Sequence, residues 1–376
     1  MAKNYSASRK EFNLKIAQIS PYSMSVPGGV QGQAAGLAHA MRSMGCEVDV
    51  IAPSDIVTSS EYFINLGHSV NFSANGSMAP ISISAFLAHR ISRILKEGNY
   101  QVVHIHEPAA PFVGILSLAM AKGIVVGTFH RSGVSGAYRT YGKLVRSLTS
   151  RLAYRYAVSE AAAITAQRAV GGSYEVVGNG VDIARFRDAA PWPKERFVVF
   201  FIGRHEHRKG LSVLIEAAKR VDEDFEIWIA GDGGETLALR QDTQDDNRFI
   251  WLGRISDQEA TARMLAADVV CAPSLYGESF GLVLLEAMAA GAAVIATDIS
   301  GYRDVARADR EAILVRPGDQ PALASALRRL IVEDELRQGL QEQGLARAEE
   351  FSMAKLAEQY IAKYEELILK GHNDSV

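Results

Sequence analysis

Short blocks in which nearly every side chain is apolar alternate along this chain with longer stretches of mixed character. Residues 14–20 (LKIAQIS), 47–52 (EVDVIA), 102–106 (VVHIH) and 124–129 (IVVGTF) are the first four such blocks. Each has the length of a strand and is rich in Val or Ile, as strands covered on both faces are. Between the first two, Gln31 to Met44 has the pattern of a helix, with Gly45 placed to close it. This rhythm implies a parallel sheet flanked by helices. A second set follows at 197–202 (FVVFFI), 225–230 (FEIWIA), 249–252 (FIWL), 268–271 (DVVC) and 292–296 (AAVIA). RFRDAAPWPKE, between the sets, reads as a linker, with the boundary near Asp182 to Glu195. The expected fold class is therefore α/β, two tandem Rossmann-like domains over residues 1–188 and 189–350. Residues 352–369 predict a last helix, with Ser352 as N-cap and Leu356, Ile361, Tyr364, Leu367 and Ile368 on one face. The 351–376 segment is expected to pack back on the first domain.

Length supports the same division, because 376 residues exceed what one core accommodates. Cys46 and Cys271 form neither a disulfide framework nor a metal-ligand spacing, which fits a reducing compartment. The polar start MAKNYSASRKEF lacks the apolar core of a signal peptide, and no apolar run is long enough to span a bilayer. A cytoplasmic protein is expected.

Charge adds a division that the total of −3 hides. Residues 1–188 carry net +7 and residues 189–376 net −10. From Pro108 to Ser159 there is no acidic residue, but there are Lys122, Arg131, Arg139, Lys143, Arg146, Arg151 and Arg155. Both a solvated helix face and a surface for an anionic partner, such as phospholipid headgroups or a phosphorylated acceptor, account for this. Nucleic acid is disfavoured, since the overall balance is acidic and no recognition motif is present.

The most informative segment is GESFGLVLLEAMAAG, Gly277 to Gly291. Glu278 and Glu286 are eight residues apart, around an apolar helix that contains Leu282, Val283, Leu284 and Leu285. Carboxylates attached to so apolar a stretch need partners, because an unpaired buried charge is costly. Sugar hydroxyls suit them, and the helix start at Ser279, Phe280 and Gly281 offers backbone N–H groups to phosphate.

Other strand-end loops carry compatible chemistry. In GRHEHRKG (203–210), Arg204 and Lys209 follow a strand's carboxyl end, where open parallel sheets bind ligands, and suit a diphosphate. Gly231 in IAGDGGE permits close approach by a ligand, and Arg254 and Ile255 in WLGRIS stand where backbone groups can read a base. In SPYSMSVPGGVQ, Gly28 and Gly29 precede a helix, which suits either an anion or a plain tight turn. The loop lacks the G-x-G-x-x-G spacing of a nicotinamide site, so an oxidoreductase is disfavoured. His104 and His106 share one strand face, as ordinary hydrogen-bonded histidines do, whereas His130 at a strand end suits a ligand contact. No carboxylate or thiol completes a metal site around them.

In this order, PGGVQ, HIHEP, TFH, GNGVD, GR-x4-KG, AGDGG and E-x7-E resemble the family 4 retaining glycosyltransferases of GT-B fold, from about Lys15 to Tyr364. PYSMSVPGGVQ, HIHEPAAP and APSLYGESFGLVLLEAMAAG are especially similar to actinobacterial phosphatidyl-myo-inositol mannosyltransferases of the PimA type. The resemblance implies an inter-domain cleft that closes on a nucleotide-sugar donor, with no metal or other cofactor required. It implies that Arg204 and Lys209 bind the diphosphate, Glu278 the transferred sugar, and Glu286 the ribose. Backbone from Ser279 through Phe280, Gly281 and Leu282 would face the sugar and phosphate. Gly29 would meet the diphosphate on closure and His130 would line the sugar pocket. Retention in that family is ascribed to front-face attack with the leaving phosphate as base, so no protein nucleophile is needed.

On the acceptor side, Tyr22 and Gln31 match the family's positions. Ser25 stands where the pattern has an acid, and Pro80 (after Asn75, Gly76, Ser77, Met78 and Ala79) and Ser135 where it has cations. Arg131 is placed to replace one of those cations. The reading is a retaining mannosyltransferase that uses GDP-mannose and a phosphatidylinositol-type acceptor, cytoplasmic and peripheral on the inner face of the cell membrane. The alternatives are a UDP- or GDP-sugar transferase with another lipid or small polar acceptor, and a non-catalytic sugar-nucleotide-binding protein.

Overall fold

All nine apolar blocks are strands in the computed structural model, which describes residues 14–26, 28–56, 60–74, 77–81, 86–133 and 145–373. The first sheet contains β1 (Lys15–Ile19), β2 (Glu47–Ala52) and β3 (Phe63–Asn65). A separate antiparallel hairpin, β4 (Val70–Ala74) and β5 (Ser77–Ile81), interrupts the sequence. The sheet then takes up β6 (Val102–His106), β7 (Ile124–Phe129), β8 (Tyr154–Ala157) and β9 (Glu175–Val176). Its order is β3-β2-β1-β6-β7-β8-β9, with every pairing parallel.

The second sheet contains β10 (Val198–Ile202), β11 (Glu226–Ala230), β12 (Phe249–Gly253), β13 (Val269–Ala272), β14 (Ala293–Thr297) and β15 (Ile313–Val315). Its order is β12-β11-β10-β13-β14-β15, again wholly parallel. Both sheets reverse direction beside their first strand, between β1 and β6 and between β10 and β13. Crevices at such switch points, outside the carboxyl ends of the strands, are where open α/β sheets bind ligands. The short strands β3, β8, β9 and β15 and the hairpin were not predicted from the apolar pattern.

The helix Gly29–Ser43 begins two residues before the predicted start, and Gly45 follows it at φ +92. The C-terminal helix Met353–Asn373 buries Leu356, Ala357, Tyr360, Tyr364 and Ile368 against Leu14, Ile16 and Val126 of the first sheet. Ile361 and Leu367 of the predicted face are only partly buried. The chain passes between the two sheets twice, side by side: Val181 pairs with Ser352, through Val181 N–H to Phe351 O at 2.9 Å and Met353 N–H to Val181 O at 2.9 Å.

Asp182 to Glu195 is not an open linker. Asp182 caps a short helix, Ile183–Arg187, whose Phe186 is buried. Farther on, Trp192 N–H bonds Ala262 O at 2.8 Å, and the Arg263 guanidinium lies 4.3 Å from the Trp192 ring centroid. The polar, proline-containing composition concealed this packing, because the anchoring groups are one backbone N–H and two aromatic rings.

Candidate active site

GRHEHRKG leaves the carboxyl end of β10 and forms a short 3-10 turn, His207–Lys209. Gly210 then turns at φ +69, where a Cβ would stand 2.0 Å from Pro273 O. Only glycine permits that approach, and it brings the loop beside the one carrying Glu278. Four ion pairs result. Arg204 Nη1 lies 2.9 Å from Glu206 Oε1, Glu206 Oε2 3.0 Å from Arg208 Nε, Arg208 Nη1 3.3 Å from Glu278 Oε1, and Lys209 Nζ 2.7 Å from the same oxygen. Arg204 and Lys209 thus occupy the two ends of one chain of alternating charge.

Glu278 also accepts from Ser274 Oγ at 3.0 Å, and Ser274 meets the hydroxyl of fully buried Tyr302 at 2.9 Å. Burial alone would raise the Glu278 pKa, but the Lys209 and Arg208 charges and the Ser274 hydroxyl together hold it below the ordinary value. Arg208, Ser274 and Tyr302 were not anticipated. Arg208 was visible as a base in the loop, whereas Ser274 and Tyr302 carried no sequence signal of their own.

The helix Leu282–Ala289 starts at Gly281, φ +91, where a Cβ would come within 2.6 Å of Tyr302 Cδ1. Neither this helix nor Gly29–Ser43 has a side-chain cap at its start. The two starts face each other: a Cβ on Gly29 would lie 3.3 Å from Leu282 Cδ1. Two helix starts without side-chain caps therefore lie together near Lys209 and Glu278, an arrangement suited to an anion. Ser279 crosses the cleft, accepting from Ser132 N–H at 3.2 Å and meeting Ser132 Oγ at 3.1 Å. Phe280 is buried and packs against Phe351 at 5.7 Å.

Glu286 lies one turn into the helix, mostly buried, with Arg185 Nη1 3.5 Å from its Oε1. Burial raises its pKa, and Asp257 adds to this, while Arg185 opposes it. Gly231, at φ +121, is required for packing, since a Cβ there would stand 1.9 Å from Gly203 O. Arg254 is exposed, 3.8 Å from Asp232 Oδ2, and Ile255 packs on the second domain's core.

In the first domain, His130 is buried, with Nε2 2.9 Å from His106 Nδ1 and a further hydrogen bond to Asn179. Its N–H donates to Glu107 Oε1 at 2.5 Å. Glu107, at φ +53, directly follows β6 at the switch point. Behind His130, His106 Nε2 meets Gln18 Oε1 at 2.9 Å, and His104 joins Tyr364 and Thr128 at 2.5 and 2.7 Å. The His104 and His106 rings stack at 4.8 Å, so the histidines form one buried network that reaches the C-terminal helix.

Tyr22 is half-buried, and its phenol is pushed up by burial and by the Glu107 charge, against the Arg131 charge. Tyr22 and Arg131 therefore share a neighbourhood. Gln31 donates from Nε2 to Ser23 O and Val26 O, which supports the loop, and Ser25 Oγ accepts from Asp55 N–H at 2.6 Å. Of the acceptor-side positions, Asn75, Gly76 and Ser135 lie outside the described residues. So do Arg139 and Lys143 of the basic stretch. Within that stretch Arg151 bonds the carbonyls of Leu118, Ala119 and Ala121 at a helix end, and Arg155 bonds Thr149 O, so these two cations serve the fold.

A cavity of about 600 Å³ lies by the crossover, lined in part by Asn179, Phe351, Gln359 and Lys363, and touches neither Lys209, Glu278 nor Glu286. Among the described residues no cluster of His, Cys, Asp and Glu is arranged to hold a metal ion, and no helix is long and apolar enough to cross a membrane.

Two family models match the chain: "Glycosyltransferase Family 4" over residues 27–185 and "Glycosyl transferases group 1" over 182–347. The phosphatidyl-myo-inositol mannosyltransferase of Mycobacterium leprae is 36% identical over 95% of this chain and 98% of its own length. That of Propionibacterium freudenreichii is 32% identical over 93% of this chain and 94% of its own. Among solved structures, HepE of Anabaena in complex with UDP superposes with a TM-score of 0.74 at 20% identity, over 94% of this chain and all of that one. Sucrose-phosphate synthase from Thermosynechococcus elongatus does so with the same score and identity, over 95% of this chain and all of that one. The chain belongs to the family 4 glycosyltransferases of GT-B fold, enzymes that transfer a glycosyl unit, and is similar over nearly its whole length to the phosphatidyl-myo-inositol mannosyltransferases.

Proposed function

We propose that the protein is a retaining mannosyltransferase that moves mannose from GDP-mannose to a phosphatidylinositol-type acceptor at a membrane surface. The observation that carries the donor side is the ion chain from Arg204 to Lys209, which runs through Glu278 and lies beside two uncapped helix starts. In the reaction the bond from the sugar's anomeric carbon to the diphosphate breaks, and its electron pair leaves with the nucleoside diphosphate. Lys209, Arg208 and Arg204 stabilise that charge, with the N–H groups at Gly29 and from Ser279 to Leu282. Glu278 accepts from sugar hydroxyls, Glu286 from the ribose, and His130 lines the wall beside the sugar. Gly231, Arg254 and Ile255 border the base. The acceptor hydroxyl attacks from the same face, and its proton goes to the leaving phosphate oxygen.

The mannosyl and inositol assignments follow the relatives' names. Tyr22 and Arg131, whose charge acts on the Tyr22 phenol, are the proposed acceptor contacts, and Gln31 acts by holding the Tyr22 loop. A second reading, with another lipid or small polar acceptor, is favoured by Ser25, whose hydroxyl is committed to Asp55 and Ile56 N–H groups where the family pattern has an acid. The test is thermal shift with GDP-mannose, UDP-glucose and UDP-N-acetylglucosamine, then mass spectrometry after incubation with phosphatidylinositol. A shift with GDP-mannose and a lipid heavier by one hexose are expected. A bound donor with unmodified phosphatidylinositol moves the assignment to the second reading, and no response to any donor removes the transferase reading of this site.

A further inference from the structure

The Arg185 guanidinium is fixed from two sides. Nε donates to Thr261 Oγ1 at 2.5 Å and Nη2 to Asp257 O at 3.1 Å. Thr261 is buried, and its own hydroxyl proton is committed to Asp257 O at 2.7 Å, so its oxygen is oriented to accept. The Arg185 backbone N–H donates to Asp182 Oδ1 at 3.3 Å. The remaining nitrogen, Nη1, lies 3.5 Å from Glu286 Oε1, at ion-pair distance. A planar fork held at two points presents its third nitrogen in a set direction, which a lysine cannot do.

We propose that Arg185 is a positioning residue for nucleotide recognition: it holds the Glu286 carboxylate in the orientation that receives the paired hydroxyls of a ribose. This rests on the reading of Glu286 as the ribose contact. A vicinal diol asks for a carboxylate turned so that both oxygens face it, and a long glutamate side chain left alone loses rotamer entropy to supply that. Arg185 lies against Oε1 from one side, and because each carboxylate oxygen has two lone pairs, both oxygens can still accept from the two hydroxyls. Its charge also opposes the effect of burial, which favours a neutral carboxyl that accepts poorly. Arg185 sits on the first helix after the crossover, while Glu286 and Thr261 come from separate helices, so three elements are tied together at the ribose position.

The test is binding of GDP and UDP, each beside its 2′,3′-dideoxy analogue, to the wild type, Arg185→Gln, Arg185→Lys and Glu286→Gln. The wild type is expected to prefer the ribose form by about tenfold or more, as hydrogen bonds to a charged group allow. Arg185→Gln and Arg185→Lys should cut that preference to within about threefold, with donor KM raised and kcat nearly unchanged. A merely structural role would weaken both forms equally and leave the ratio alone. An unchanged ratio in a folded Arg185 variant overturns the positioning role. A wild type that binds a diphosphate without preferring ribose overturns the Glu286 assignment instead. Should Arg185→Gln not fold, Arg185→Lys decides, since it keeps a charge but loses the fork.

Discussion

Lys209 Nζ lies 2.7 Å from Glu278 Oε1, so the cation proposed for the diphosphate and the carboxylate proposed for the sugar are each other's partner before a donor arrives. Donor binding must therefore share or replace this contact. Lys209→Ala and Glu278→Ala are expected to lower kcat/KM by about a hundredfold or more while keeping a cooperative melt, on the scale of losing a group that stabilises developing charge. Wild-type turnover in either folded variant would remove that residue from the site.

The same pair sets a pH dependence of stability. The Glu278 pKa is depressed in the fold, so its contribution is complete above the unfolded carboxyl value and is lost as pH falls through the folded one. In Lys209→Met, burial is less opposed and the carboxyl rises. The stability gap between variant and wild type should be widest at neutral pH and narrow on acidification. Urea midpoints at several pH values measure this, and a gap that stays constant would mean the pair does not stabilise the fold.

Glu286 behaves in the opposite sense. Burial and the nearby Asp257 raise its pKa, and Arg185 only partly opposes them. Its ionised form, the better acceptor for ribose hydroxyls, is therefore lost at a higher pH than for an ordinary glutamate. Donor KM should climb as pH falls toward the carboxyl range while kcat at saturating donor changes little. Glu286→Gln should start with a weaker KM and show a flatter profile. Equal slopes in the two proteins would assign the dependence to another group.

The central segment was legible because its chemistry is local. Glu278 and Glu286 share one helix and its entry loop, and an apolar run bounded by two carboxylates is visible within fifteen residues. The strands were legible because each is buried on both faces and so reads as a continuous apolar run. Arg185 was not, since its meaning comes from Thr261 and Asp257, more than seventy positions away. Gly231 was read as room for a ligand, whereas the turn beside Gly203 O already requires it. Arg151 and Arg155 looked like a basic surface because sequence shows charge and not the carbonyls that a guanidinium caps.

Gln33 joins the two halves with its whole amide: Nε2 donates to Gly180 O at 2.7 Å, and Oε1 accepts from Gly180 N–H at 2.8 Å. Both groups are buried, so Gln33→Ala leaves a donor and an acceptor of the crossover unsatisfied, at a cost of about 3 kcal/mol. The melting temperature should fall and amide exchange near residues 178–182 should quicken. Gln33→Glu, which keeps the acceptor but sets a buried carboxylate oxygen against Gly180 O, should not recover the loss. Exchange unaltered in Gln33→Ala would show that the crossover is held by other contacts.

The three linked histidines make an acid-sensitive element in the first domain. Burial lowers the pKa of His104, His106 and His130, with His106 held down to about 3, so all three are neutral in the fold near pH 7. In the unfolded chain each takes up a proton near the ordinary histidine value of about 6.5. Because the folded pKa is depressed, their contribution is complete above that value and is lost as pH falls below it, by up to about 1.4 kcal/mol per pH unit for each ring. Urea unfolding between pH 7 and pH 5 should show a steep fall in stability. His106→Asn removes one titrating ring, and its stability should fall less steeply even though it starts lower. The slope separates titration from simple loss of packing, because lost contacts shift the curve down without changing its dependence on pH. A variant slope equal to that of the wild type would mean that His106 takes up its proton in the folded state as readily as in the unfolded one.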